Sequence, residues 1–269
     1  PSQWTGDAVA FRSLSTGDAQ LADALHSRGT HEGWLNAIQS LEPYPRAKLA
    51  VLSAFVPPML SILQAPNFIV DWANRTRTGK TTVLRLAASV WGQPDDRAPD
   101  PYIRTWDTTE VGVERTLEVL RHLPLLLDDT ARVGQQHWRV GNVLYLAAQG
   151  QGRQRGNTTR TEASRTWRTL LLSTGEQEAI SFGQQGGTRT RCVEVRGAPF
   201  GRDDHLSALV VEKLTLDVYE NYGHAGPAFV RWLLSKRESW PRFANRYREL
   251  ARDYIKDADG GPEAALATV

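Results

Sequence analysis

One stretch limits the fold more than any other: "NFIVDWANRTRTGKTTVLRLAASVWG", residues 67–92. Its opening, Asn67–Ala73, is apolar, aromatic and β-branched, which predicts a buried strand. Val83, Leu84, Leu86, Ala87 and Val90 recur at helical spacing, and Gly92 is a stop. Between strand and helix stand Gly79, Lys80 and Thr81, the ending of the phosphate-loop pattern G-x-x-x-x-G-K-[ST]. The pattern's first glycine is replaced by Asn74. A strand that delivers a turn to a helix N-terminus turns backbone amides toward an anion. Lys80 would reach the outer phosphates and the Thr81 hydroxyl would ligate Mg²⁺. The candidate nucleotide-binding residues are Asn74, Arg75, Thr76, Arg77, Thr78, Gly79, Lys80, Thr81 and Thr82. An ordinary loop before a helix is the alternative. Asn is tolerant of positive φ, so the loop is expected to close.

Downstream, "LPLLLDDT" is a short apolar run ending in Asp128 and Asp129. In phosphoryl-transfer folds, a first acid at such a strand end organises Mg²⁺, and a second orients the attacking water. Here the second is Asp129, one methylene shorter than the more usual Glu. Two acids capping the next turn would read the same way. "TLLLSTGE" is a further apolar run that places Ser173 or Thr174 at a strand end, where a hydroxyl can hold the attacking water or serve turn chemistry. Strands alternating with helices predict an α/β fold with a parallel sheet of the phosphate-loop kind.

The boundaries expected from the pattern are a tail of an upstream module or a peripheral hairpin over residues 1–29, a core over 30–205, and a helical C-terminal region over 206–269. Thr30 caps a helix running to about Ser40, and "YPRAKLAVLSAFV" reads as a second helix. "PRFANRYRELARDYIKD" aligns Phe243, Tyr247, Leu250 and Tyr254 on one face, a packed helix with a solvated back.

The chain has 269 residues with net charge +2 and pI about 8.9, so total charge names no partner and local clusters must. Arg153, Arg155, Arg160, Arg165 and Arg168 crowd one turn-rich segment with Glu162 as the single acid. It reads as a β-hairpin with a basic tip, suited to phosphate backbones without reading base sequence; a solvated loop is the alternative. Arg153 or Arg155 could instead face a neighbouring subunit. Arg189, Arg191 and Arg196 lie on or beside the strand candidate "RTRCVEVRG", where an arginine could reach a γ-phosphate in its own subunit or across an interface. The six histidines show no metal-ligand spacing. The single Cys192 excludes an intrachain disulfide framework and fits a reducing compartment, the cytoplasm. The longest apolar run, Leu49–Leu63, is shorter than the roughly 20 residues of a membrane span, so no membrane association is expected. A start at Pro1 without methionine suggests a piece of a longer protein.

The ordered set "GTHEGWLNAI", "NRTRTGKTTVLRLAASVWG", "TWDTTEVGVE", "LPLLLDDT", "VLYLAAQGQGRQR", "TWRTLLLSTGE", "RTRCVEV" and "NYGHAGPAFVRWL" resembles a domain family, formerly of unknown function, of primase-helicases in prophages and mobile elements. That family includes the minichromosome-maintenance-like AAA+ helicases of mobile chromosome cassettes. The resemblance runs from about Gly29 to Leu234. It implies an AAA+ ATPase that binds ATP and Mg²⁺, forms a ring, expected to be a homo-hexamer, and moves on single-stranded DNA. It further implies that Lys80, Thr81, Asp128 and Asp129 handle nucleotide, with Ser173 or Thr174 as a sensor. Arg153–Arg165 would be a pore-facing hairpin, and Arg191 matches the family's arginine in a G-x-x-x-R stretch. A primase or replicon-specific module would lie in the full-length chain. Alternatives are a nucleotide-binding assembly module with little turnover, or another motor of the same fold, such as a packaging or defence ATPase.

Overall fold

The computed structural model describes residues 15–152, 164–182, 186–201 and 205–257. The elements in chain order are α1 (Thr16–Asp23), α2 (His31–Gln39), α3 (Pro45–Ala54), α4 (Pro57–Leu63), β1 (Phe68–Ala73), α5 (Lys80–Ser89), β2 (Arg104–Thr105), α6 (Glu110–Leu120), β3 (Leu125–Asp128), α7 (Trp138–Gln149), β4 (Leu170–Gly175), α8 (Gly186–Arg189), β5 (Cys192–Arg196), α9 (His205–Glu220), α10 (Ala225–Ser235) and α11 (Trp240–Asp257). Pairing is parallel throughout, in the order β2-β3-β4-β1-β5.

This order follows from the sequence chemistry. β3 and β4 read "LLLD" and "LLLSTG", and every residue of both is buried. Strands buried on two sides belong in the middle of a parallel sheet with helices on each face. α3 and α5 pack on one face and α6 and α7 on the other. β1, the strand of the opening motif, lies between β4 and β5, so the loop that follows it emerges mid-sheet.

The Asn67 side chain joins α7 to this sheet: Nδ2 donates to Ala147 O at 3.0 Å, and Oδ1 accepts from Thr169 N at 3.0 Å. The C-terminal helices fold back onto the core. α9 packs on α2 and α5, and α11 packs on α4. Trp91 seals this junction, its indole donating to Ala54 O at 2.8 Å.

The described part of residues 1–29, from Ser15 on, contains helix α1, with Leu21 and Ala24 buried; residues 1–14 lie outside the described residues. The helix expected over "YPRAKLAVLSAFV" ends at Ala54, and α4 starts afresh at Pro57, bent by 68° from α3. Among the described residues no single helix is long and apolar enough to cross a membrane.

Candidate functional site

β1 ends at Ala73, and Asn74 continues its ladder, its N–H donating to Gly175 O at 3.1 Å. The Asn74 side chain then accepts from Arg75 N at 2.8 Å. Asn74 therefore does not close the loop through a positive φ. The non-glycine residue that takes one is Arg77, at φ 65°. Gly79 follows at φ 87° and caps α5. It is glycine for a second reason: a Cβ there would stand 2.7 Å from the Phe200 ring.

Lys80 Nζ curls back over the loop and donates to the carbonyls of Asn74 and Arg75, each at 2.7 Å. The Thr78 hydroxyl donates to Arg75 O at 2.9 Å, and the Thr76 hydroxyl donates to Glu176 just beyond β4. Burial lowers the Lys80 pKa, opposed by the charges of Asp129, Glu176 and Asp128. The Lys80 ammonium thus sits in a half-buried loop with two carbonyl partners and in the field of three carboxylates.

The α5 N-terminus meets the ends of β3 and β4. The Thr81 hydroxyl lies 3.2 and 3.3 Å from the two Asp128 oxygens. The Thr174 hydroxyl donates to Asp128 Oδ1 at 2.6 Å and accepts from Asp129 N at 3.1 Å. Burial raises the Asp128 pKa, while the Thr174 and Thr81 hydroxyls oppose that shift. Asp129 sits at φ 60° and caps the short 3-10 turn Thr130–Val133, accepting from Ala131 N at 3.1 Å.

The donor set suits a hard cation. Thr81 and Asp128 offer oxygens only, and among the described residues no group of three or more His, Cys, Asp or Glu side chains could hold a metal. That is the usual situation of Mg²⁺, which is held by one or two protein oxygens together with substrate phosphates.

A cavity of about 380 Å³ opens beside the loop, lined by Arg77, Thr78 and Gly79 on one side and by Phe200, Val211 and Tyr219 on the other. Arg85 stands at its edge, bonded to Asp96 at 2.8 Å and lying 5.8 Å over the Tyr219 ring. The volume suits a small organic ligand.

Other expected residues fall elsewhere. Thr82 is buried within α5. Ser173 points away from Thr174, as alternation along a strand requires; its hydroxyl accepts from Trp106 Nε1 at 3.3 Å on the far face. Arg191 lies beside the first residues of β1, its carbonyl accepting from Ile69 N, while its guanidinium donates to Ala148 O at 3.1 Å. It is at the opposite end of the sheet from Lys80, so it cannot serve the γ-phosphate of its own subunit. Arg196, at the correct end, is paired with Glu178 and Glu194. Arg165, expected on a projecting hairpin, bonds Glu118 at 2.7 Å and approaches Glu114 at 3.7 Å. Arg153, Arg155 and Arg160 lie outside the described residues.

Sequence reasoning missed Glu176 and the wall made by Phe200 and α9. Glu176 was visible as the polar end of "STGE". The wall carried no motif, because it arises from tertiary packing of a distant helix.

A solved structure described as "SCCmec type IV Cch - active helicase" is similar, with a TM-score of 0.73 over 97% of this chain, 47% of that chain, and 19% identity. The chain thus spans about half the length of that helicase, and at this identity the likeness is one of fold. The JCV helicase aligns with 11% identity over 94% of this chain and 75% of that chain, at a TM-score of 0.35 that carries no argument. No curated protein matches significantly. The family described as "Domain of unknown function (DUF927)" matches residues 5–167, more than half of the chain and inclusive of Lys80, Thr81, Asp128 and Asp129, and the chain belongs to that family.

Proposed function

We propose that the chain is the ATP-hydrolysing motor domain of a DNA helicase of a phage or mobile element, a P-loop AAA+ domain working as a homo-hexameric ring on single-stranded DNA. The observation that carries the catalytic part is the convergence of Lys80, Thr81, Asp128 and Thr174 from three separate elements on one point beside the Gly79 turn. The ring and the DNA rest on the family resemblance, and the cytoplasmic setting on the single cysteine.

The phosphates are received at the α5 N-terminus, where amides and the helix dipole favour anions. Lys80 exchanges its two carbonyl partners for phosphate oxygens. Thr81 and Asp128 would hold Mg²⁺, which when bound would supply positive charge beside the phosphates. Thr174 fixes the Asp128 carboxylate and the Asp129 backbone in one bond chain, so both acids keep their places as the loop fills. Asp129 orients the attacking water. An arginine from a neighbouring subunit would supply the remaining stabilisation of transition-state charge, and Arg191, at the far end of the sheet, could act only in that way.

The wild type should release phosphate from ATP faster when single-stranded DNA is added. Lys80→Ala should lower that rate at least 100-fold while the protein stays folded by circular dichroism. Equal rates for the two proteins under all assembly conditions would rule the motor out.

One observation favours a second reading, an assembly module that binds ATP with little turnover: the Asp129 carboxylate already accepts the Ala131 amide. Nucleotide-dependent oligomers without phosphate release, and turnover restored by Asp129→Glu, would support it.

A further inference from the structure

α7 carries an uncovered aromatic face. Trp138 is 60% exposed and Tyr145 is 42% exposed. They are seven residues apart, so they stand on the same side of the helix about 10 Å from one another. Gln149, also exposed, continues this face one turn beyond Tyr145. The opposite side of α7 is ordinary core, with Val140, Val143, Leu144 and Ala147 all buried.

Gln149 opens onto a hollow of about 430 Å³ lined by Arg121, His122, Gln151, Thr166 and Arg168. No carboxylate is among its described lining. Arg121 and Arg168 act on His122 there: burial pushes its imidazole down, and the two guanidinium groups push it further. The chain segment that carries α7 is basic too. From Thr130 to Gly152 the chain has no Asp or Glu, while Arg132 and Arg139 are present. The nearest acids are on α6: Glu110 accepts from Asn142 at 2.6 Å and keeps its charge, while Glu114 and Glu118 face Arg165.

Exposed aromatic rings at intervals beside a hollow whose described lining is basic are what a single-stranded nucleic acid needs: ring faces for bases and cations for phosphates. We infer that α7 is a nucleic-acid platform, with bases stacked on Trp138 and Tyr145 and the strand's phosphates seated in the Arg121–His122–Arg168 hollow. This rests on the reading that the chain acts on DNA, and it assigns the contact to described residues on α7 rather than to the arginine-rich segment alone. Stacking is tolerant of sequence because every base has a ring face, so the platform carries no base preference of its own.

The test is fluorescence anisotropy with a labelled thymidine oligomer and an abasic oligomer of equal length, in Mg²⁺ and a non-hydrolysable ATP analogue. Trp138→Ala and Tyr145→Ala should each weaken thymidine-oligomer binding about 5- to 100-fold. Each should also shrink the wild type's preference for the thymidine oligomer over the abasic one, while Tyr145→Phe keeps it. Arg168→Glu should weaken both oligomers alike and lower the salt slope by about one. A fluorescent nucleotide should bind all variants as it binds the wild type. Aromatic variants that bind like the wild type would overturn the platform and leave the motor reading standing. Variants that change the sedimentation state but not oligomer affinity would assign the face to a second copy of the chain, and so overturn it too. A wild type that binds neither oligomer, yet binds nucleotide, would remove the platform and the DNA half of the proposed function together, leaving the nucleotide half.

Discussion

Asp71 is a carboxylic acid with no access to solvent, in β1 between β4 and β5. Its Oδ2 accepts the Ala179 amide at 2.8 Å, while Oδ1 has no hydrogen-bond partner. Burial raises its pKa from 3.8 to about 6, outweighing the Ala179 amide and the neighbouring Ser173 hydroxyl, and Glu194 and Glu178 push the same way. Below pH 4 both folded and unfolded chains hold the proton, and Asp71 costs nothing. Between pH 4 and 6 only the unfolded chain ionises, so stability falls as pH rises; above 6 the full penalty of roughly 3 kcal/mol is present. Asp71→Asn should therefore stabilise the protein at pH 7.5 by about 1–3 kcal/mol and lose that advantage below pH 4. Urea melts of both proteins across this range would show it, and a pH-independent gap would refute it. The residues of the loop show how far single positions were legible. The turn at Gly79 and the helix that opens with Lys80 and Thr81 were readable from residue type and spacing. The conformational role given to Asn74 was not, because sequence cannot say which of six loop residues bends: Asn74 extends the strand and Arg77 takes the left-handed turn.

At the scale of elements, periodicity identified faces well and their coverage poorly. The strand, loop and helix of residues 67–92 fold as their pattern dictates, and both apolar runs ending in polar residues became buried central strands. α11 presents the expected stripe, yet only its first turns are covered. Tyr247 lies against Met59 and Leu63 in an apolar hollow, while Leu250 and Tyr254 are each 52% exposed. The reason is the length of the partner: α4 has seven residues and ends at Gln64 in a left-handed turn. A stripe records which side of a helix is apolar, not how long the surface opposite it is. Helix contacts made by glycine were equally hidden. Gly226 opens α10 directly on Trp91, where a Cβ would stand 2.3 Å from the ring. Trp91 cannot swing away without losing its bond to Ala54. Gly226→Ala should thus destabilise the protein by about 1–3 kcal/mol, read as a lower urea midpoint at unchanged slope. A change below about 0.5 kcal/mol would mean that α10 shifts freely on the core.

At the scale of the whole molecule, the candidate nucleotide site joins two parts of the chain that the sequence presents as separate. The Gly79 turn belongs to the β1–α5 unit, whereas Phe200, Val211 and Tyr219 belong to the segment after β5. A nucleotide with its phosphates on Lys80 and its remaining bulk in this cavity would touch both, so binding should hold α9 against the core as well as fill the loop. Ligand that binds only the folded chain stabilises it by about 2.7 kcal/mol at 100 times its Kd. For a chain of this size that corresponds to a rise in Tm of roughly 5–10 °C. Thermal melts with Mg²⁺ and a non-hydrolysable ATP analogue should show such a rise in the wild type and little or none in Lys80→Ala. Hydrogen exchange should show protection of α9 as well as of the loop. Protection confined to residues 74–81 would mean that the phosphates bind without the cavity wall, and no thermal shift at millimolar nucleotide would remove the site altogether. The two outcomes separate a closed nucleotide pocket from a bare anion-binding loop, which the motif by itself could never distinguish.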